Sequence, residues 1–259
     1  MMTNKSRSYN SKAKKQSSQH KHLQSINTKH KKCINLYTQQ AMIDAKEGNT
    51  IKCDNFEDYL KHGYYPFSKE RGFDEKLRQI INLTLENDIP SFANLPASTG
   101  RRLKKLLMVI SKSVPFKPNM SKLAELIDAN RNMMPDYFQY IEDAGMITQL
   151  RDNTGGVRGL GKIEKVYLDN ANLIYSLAEG EPNIGNIRET FFINQTRVRN
   201  VVTSSDISDF QIDGRTFEIG GKSKGMKQIK EANEGYIVKD QIEYSSGNIL
   251  PLWWFGLNY

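Results

Sequence analysis

Asp209-Phe210-Gln211-Ile212-Asp213-Gly214-Arg215-Thr216-Phe217-Glu218-Ile219-Gly220-Gly221-Lys222 is the stretch whose reading decides the fold. Asp213-Gly214 between alternating apolar residues signals a two-residue type I′ hairpin, because that turn needs positive φ at both central positions. The turn sets the register: Ile212 opposite Arg215, Gln211 opposite Thr216, Phe210 opposite Phe217, Asp209 opposite Glu218. Phe210, Ile212, Phe217 and Ile219 then share one face, and Asp209, Gln211, Thr216 and Glu218 the other. Two carboxylates facing each other across strands repel by a few tenths to about 1 kcal/mol unless a cation sits between them. A divalent metal or a lysine would serve. The alternative is a solvated polar face, on which screening makes the repulsion cheap.

The charge of the chain is unevenly spread. The net value is +8, yet no Asp or Glu occurs before Asp44, and the first 32 residues hold nine Lys/Arg. The other 227 residues carry 28 basic against 29 acidic side chains. The expectation for residues 1–50 is a disordered basic tail, too poor in apolar side chains to offset its chain entropy. Such an arm either touches nucleic-acid phosphates without sequence preference or is a solvated extension. His20, His22 and His30 lie in it without Cys or carboxylate neighbours, a poor metal set. Cys33 and Cys53 lack the spacing of a zinc site and read as free thiols in a reducing compartment. No secretory signal and no run long enough to span a membrane is evident, so the expected location is the cytoplasm.

Helical periodicity starts near Asn55. Phe56, Tyr59 and Leu60 form a short stripe. Asp74 is the expected cap of a helix burying Leu77, Ile80, Ile81 and Leu85 and stopped by Pro90. Ser98 or Thr99 should cap the next, with Leu103, Leu106, Leu107 and Ile110 inward and Arg101, Arg102, Lys104 and Lys105 outward. Those four basic residues are the candidate nucleic-acid contacts. A helix over Ser121–Ile127, a break at Asp128–Asn130, a helix to Ala144 and strands at Met146–Leu150 and Ile163–Leu168 give the order of a winged helix-turn-helix. Its wing tip is the glycine-rich loop holding Gly155, Gly156, Gly159 and Gly161. The segment Ser121–Gly145 has a net charge of −3, which disfavours base reading by its second helix.

From about Tyr167 the pattern changes. A helix over Gly185–Arg199 carries Glu189, followed by a strand near Arg199–Thr203, the hairpin, a helix over Met226–Ala232, a strand at Gly235–Val238 and an apolar strand over Leu250–Tyr259. Gly220-Gly221-Lys222-Ser223 ends like a phosphate-binding loop, but position 216 is Thr where that loop needs Gly, so no nucleotide triphosphate site is expected. No small-molecule substrate is evident. The set Glu189, Asp209, Glu218 and Lys222 fits the metal-dependent nuclease pattern instead: Asp209 and Glu218 as Mg²⁺ ligands, Glu189 as a further ligand, and Lys222 to orient water.

Several phrases taken together resemble the C-terminal part of bacterial AAA family ATPases of unknown function. They are Asp58-Tyr59-Leu60-Lys61-His62-Gly63-Tyr64-Tyr65-Pro66-Phe67, Ser113-Val114-Pro115-Phe116-Lys117-Pro118-Asn119, Lys165-Val166-Tyr167-Leu168-Asp169-Asn170, Asn183-Ile184-Gly185-Asn186-Ile187-Arg188-Glu189-Thr190-Phe191-Phe192 and Phe217-Glu218-Ile219-Gly220-Gly221-Lys222. The resemblance implies an α/β chain in three parts: the tail at 1–50, a helical region with a winged helix-turn-helix at 55–165, and a restriction-endonuclease-like (PD-(D/E)XK-type) α/β domain at 166–259. It also implies an ATPase module, absent from these residues and supplied in trans if the chain is a truncated or split member. The nuclease signature departs from its pattern. An acid-x-Lys pair lies about 7 Å apart on one strand face, whereas Glu218 and Lys222 are separated by about 13 Å along an ideal strand. Only a bulge at Gly220-Gly221 would return the lysine. The expectation is therefore a non-catalytic module that binds nucleic acid or protein, the alternative being a Mg²⁺-dependent DNA nuclease.

Overall fold

The structure, a computed structural model, describes residues 53–154, 161–225 and 227–257. The basic tail and most of the glycine-rich wing tip lie outside the described residues. The architecture is mixed α/β: a helical first half packed on one seven-stranded sheet of order β2-β1-β3-β4-β5-β6-β7. None of the described helices is long and apolar enough to cross a membrane.

Helix α1 (Cys53–His62) turns Phe56, Tyr59 and Leu60 towards the body, and α2 (Phe73–Leu83) buries Phe73, Leu77 and Ile81. Two expectations fail on α2. Gly72 takes the cap position, with φ +76, so Asp74 sits within the first turn. Ile80 is 45% exposed, because the inward stripe follows 73, 77, 81 and 85 and leaves position 80 on the flank. Nor does Pro90 stop the helix. A π turn at Thr84–Asp88 widens the backbone just before it, and the helical run continues through Pro90 into α3 (Ile89–Ala93).

Helix α4 (Ala97–Ser113) buries Leu103, Leu106, Leu107 and Ile110 as expected, but Pro96 holds the cap position and Thr99 is buried, so neither Ser98 nor Thr99 caps it. Helix α5 (Met120–Leu126) is capped by the Asn119 side chain, which accepts from Lys122 N–H at 3.1 Å. A 3₁₀ turn at Arg131–Met133 leads into α6 (Met134–Asp143), which closes at Gly145, φ +70. Strands β1 (Ile147–Arg151) and β2 (Ile163–Leu168) pair antiparallel.

After α7 (Ala171–Leu177), helix α8 (Ile184–Thr196) is buried at Ile187 and throughout Thr190–Thr196. Phe192 stacks its ring 5.1 Å from Phe210 and 5.5 Å from Phe217, which seats α8 on the apolar face of the hairpin. Strand β3 (Val202–Ser204) is shorter than expected and pairs antiparallel with β4 (Phe210–Ile212), which pairs antiparallel with β5 (Arg215–Gly220). A single parallel pair, Arg151↔Thr203, joins β1 to β3, so the sheet runs across the change in pattern near Tyr167. Strands β6 (Gly235–Lys239) and β7 (Ile249–Pro251) add in parallel.

Two further elements differ from expectation. The region read as a helix over Met226–Ala232 holds a 3₁₀ turn, Lys227–Ile229. The apolar terminal run is a strand only for Ile249–Pro251. It then curls into a 3₁₀ stretch, Leu252–Leu257, that brings the Phe255 ring to 4.7 Å from Phe192. Alternation cannot describe a run in which consecutive side chains are all apolar, and here packing against α8 sets the backbone.

Candidate functional site

Three of the four expected site residues gather beside the hairpin. The turn forms at Asp213 (φ +49) and Gly214 (φ +80), and the ladder carries Ile212↔Arg215, Gln211↔Thr216 and Phe210↔Phe217. It ends there. Asp209 lies in a bend, and its Oδ2 accepts from Ile219 N–H at 2.9 Å in place of a fourth ladder pair. The polar face is only partly solvated: Thr216 is buried and Glu218 is 2% exposed, while Asp209 and Gln211 are half-buried.

A cation does stand between carboxylates, and it is Lys165 on β2. Its Nζ lies 3.4 Å from Glu189 Oε2 on α8 and 3.6 Å from Asp209 Oδ1. The Tyr167 hydroxyl, two residues along the same strand face, donates to Glu189 Oε2 at 2.8 Å. Burial and the neighbouring Glu189 charge push the Asp209 carboxyl up to about 6, with Glu218 adding and the Ile219 N–H and Lys165 opposing. Burial and Glu189 likewise raise the Tyr167 phenol, which therefore acts as a donor.

Glu218 has its own partners. Ser208 Oγ lies 2.5 Å from Glu218 Oε2, and Lys224 Nζ forms an ion pair with Oε1. Lys222, the lysine expected here, is exposed and pairs with neither acid; its carbonyl accepts from Lys239 Nζ at 3.1 Å. The reason is local geometry. Instead of a bulge, the chain reverses after β5, with Lys224 N–H donating to Gly221 O at 3.0 Å. That reversal lays the Lys224 stem over Gly220, where an added Cβ would meet Lys224 Cγ at 2.6 Å and Cβ at 2.7 Å. Lys224 thus fills the space that a side chain at position 220, the lysine position of an acid-x-Lys pair, would take.

Whether these acids fit Mg²⁺ is decided by their oxygens. Both oxygens of Glu218 and both of Asp209 are engaged by donors or lysines of the chain itself, and Glu189 Oε2 has two such partners. No group of three or more His, Cys, Asp or Glu among the described residues is arranged to hold a metal ion. As arranged, the cluster does not fit the ion.

Arg101, Arg102, Lys104 and Lys105 sit on α4. Arg101 and Lys105 are exposed, Arg102 is half-buried, and Lys104 pairs with Glu86 at 3.4 Å. A second polar centre has no local signature in the sequence. Asp169, 2% exposed, pairs with Arg197 and accepts from the Tyr64 hydroxyl at 3.2 Å and Thr148 Oγ1 at 3.4 Å. Asn194 Nδ2 donates to the Asp169 carbonyl at 2.8 Å, and Asn172 ties the Tyr64 N–H (2.8 Å) to the Leu60 carbonyl (2.8 Å). The phrases holding Tyr64 and Asp169 are visible in the sequence, but nothing local says that positions 105 residues apart meet.

Fold and site thus define a mixed α/β protein with a lysine-neutralised acid cluster at a hairpin. The chain belongs to the family described as "Domain of unknown function (DUF8612)", whose model matches residues 53–184, from α1 to the first residue of α8. No curated protein and no solved structure matches it. Lys165 and Tyr167 fall inside the matched stretch; Glu189, Asp209, Glu218 and Lys224 follow it.

Proposed function

We propose that the chain is a non-catalytic nucleic-acid-binding module, in which a winged-helix-like region (α4–α6 with β1 and β2) precedes a degenerate restriction-endonuclease-like sheet. In this reading it is a relative of the C-terminal part of AAA family ATPases, with an ATPase module as a further partner in trans. The observation that carries the proposal is the internal neutralisation of the acids: Lys165 lies against Glu189 and Asp209, and Lys224 against Glu218. An active metal site would leave those oxygens to the ion.

The order α8, β3, β4, β5 and β6, with an acid on the helix and one on either side of the hairpin, supports the nuclease-like ancestry. Binding through phosphates is supported by the stretch from Gly221 to Lys230, which holds Lys222, Lys224, Lys227 and Lys230 and no acid. Lys222, Lys227 and Lys230 are exposed, as are Arg101 and Lys105 on α4. The exposed face of α6 presents Asp136 and a Gln139–Asp143 hydrogen bond of 2.8 Å, so base reading is not assigned to it.

The test is duplex-DNA binding by fluorescence anisotropy across a salt series. Replacing Lys222, Lys227 and Lys230 with Gln should weaken binding and lower the slope of log K against log salt by roughly 1 for each phosphate no longer neutralised. An unchanged slope removes these three lysines as phosphate contacts, and no binding at low salt refutes nucleic acid as the partner. Supercoiled plasmid cut in Mg²⁺ or Mn²⁺, with cutting abolished by Asp209→Ala, refutes the non-catalytic assignment.

A further inference from the structure

Helix α2 also carries two exposed apolar side chains outside its inward stripe. Its inward stripe is Phe73, Leu77 and Ile81, yet Ile80 is 45% and Leu83 54% exposed. With Lys76 and Gln79 they occupy positions i, i+3, i+4 and i+7, the spacing of a stripe that packs against another segment. Phe67 walls one side, and the five side chains line a groove of about 290 Å³. The single charge on that lining, Lys76, is already paired with Glu70 at 2.5 Å.

We infer that this groove is the docking site for residues Cys33–Ile43 of the same chain. Three observations select that occupant. The groove has room for a few side chains rather than a folded surface. The stretch Cys33–Ile43 is the densest apolar run in the first 52 residues, with Ile34, Leu36, Tyr37, Met42 and Ile43, and it carries no charge, which suits a lining whose one cation is satisfied. It is also within reach. Residues 44–52 span up to roughly 30 Å when extended. Helix α1 is only about 15 Å long, and His62 at its end lies with its ring 6.1 Å from that of Phe73 at the start of α2. Docking here would anchor the chain just after the nine basic residues of positions 1–32 and so fix where that basic arm leaves the body.

The native Cys33 supplies the probe. In the full-length chain with Cys53→Ser, a cysteine is introduced by Gln79→Cys in the groove or, as a control, by Arg101→Cys on the exposed face of α4. Under mild oxidation at low protein concentration, the Gln79→Cys chain should form an intramolecular disulfide at least about tenfold faster than the control, reflecting a high effective concentration. Leu36→Asp with Tyr37→Asp should remove that advantage while the far-ultraviolet circular dichroism stays unchanged. Equal rates at the two positions, or a rate indifferent to the two aspartates, overturns the inference. A disulfide that links two chains assigns the groove to a second copy and overturns it as well.

Discussion

Two acids of this protein, the buried Asp169 and the half-buried Asp209, are both held against cations, yet they sit in opposite electrostatic settings. Around Asp169 the groups are one guanidinium and neutral donors from several elements, so a single negative charge is over-supplied with partners. Around Asp209 stand two other carboxylates, and the nearer cation, Lys165, is shared with one of them. The first arrangement is how a fold secures a buried charge. The second crowds like charges in a partly exposed position, which is what sites do and cores avoid. The difference locates the functional candidate at the hairpin and assigns the Asp169 centre to holding α8, β1 and the Tyr64 segment together.

Breaking the Asp169 centre should have the largest effect. Asp169→Asn leaves the Arg197 guanidinium without its counter-charge, and removal of one partner of a buried pair costs about 3–5 kcal/mol. Arg197 is about a third exposed and regains some water, so a loss of about 3 kcal/mol in urea unfolding is expected. A loss below about 1 kcal/mol would show that the centre is dispensable, and the contrast with Asp209 would lose its meaning.

Asp209 should behave in the opposite sense. Its carboxyl is pushed up to about 6 in the folded state, against an ordinary 3.8. The folded chain therefore holds a proton that the unfolded chain releases between those values, and this contribution to stability fades as pH rises from about 4 to about 6. Asp209→Asn keeps an oxygen for the Ile219 N–H and removes the charge. The variant should match the parent near pH 4 and exceed it by about 1–3 kcal/mol at pH 7. Equal stability at both pH values would mean that Lys165 fully compensates the crowding.

Legibility divides along the same line as these two centres. The hairpin and its register are readable because two residues with positive φ, Asp213 and Gly214, fix everything within a few positions of them. Of the acids, alternation places Glu218 on its strand, whereas Asp209 lies in a bend past the end of the ladder. What escapes are partners brought in from other elements. Lys165 lies 44 positions before Asp209, and its meeting with Asp209 depends on how β2 and the hairpin are placed in one sheet. Asp169 meets Tyr64 across 105 positions. Lys224 escapes for a subtler reason: distance along an ideal strand does not apply past Gly220, where the strand has ended and the chain turns. Pro90 misleads similarly, since a π turn gives a helix a way past the ring that local propensity does not anticipate.

The smallest effect tests the ending of that strand most sharply. At Gly220 an added methyl would lie 2.6–2.8 Å from Cγ, Cβ and Cδ of Lys224, the base of the stem rather than its mobile end. Gly220→Ala should therefore displace Lys224 from Glu218 and leave that acid, 2% exposed, with Ser208 as its remaining partner. A loss of about 1–2 kcal/mol is expected, and little of it should remain in a Lys224→Gly background, where neither the stem over position 220 nor the ion pair is left. If alanine costs the same with and without the lysine, position 220 is constrained by backbone alone, and Lys224 does not owe its place over the hairpin to the missing side chain.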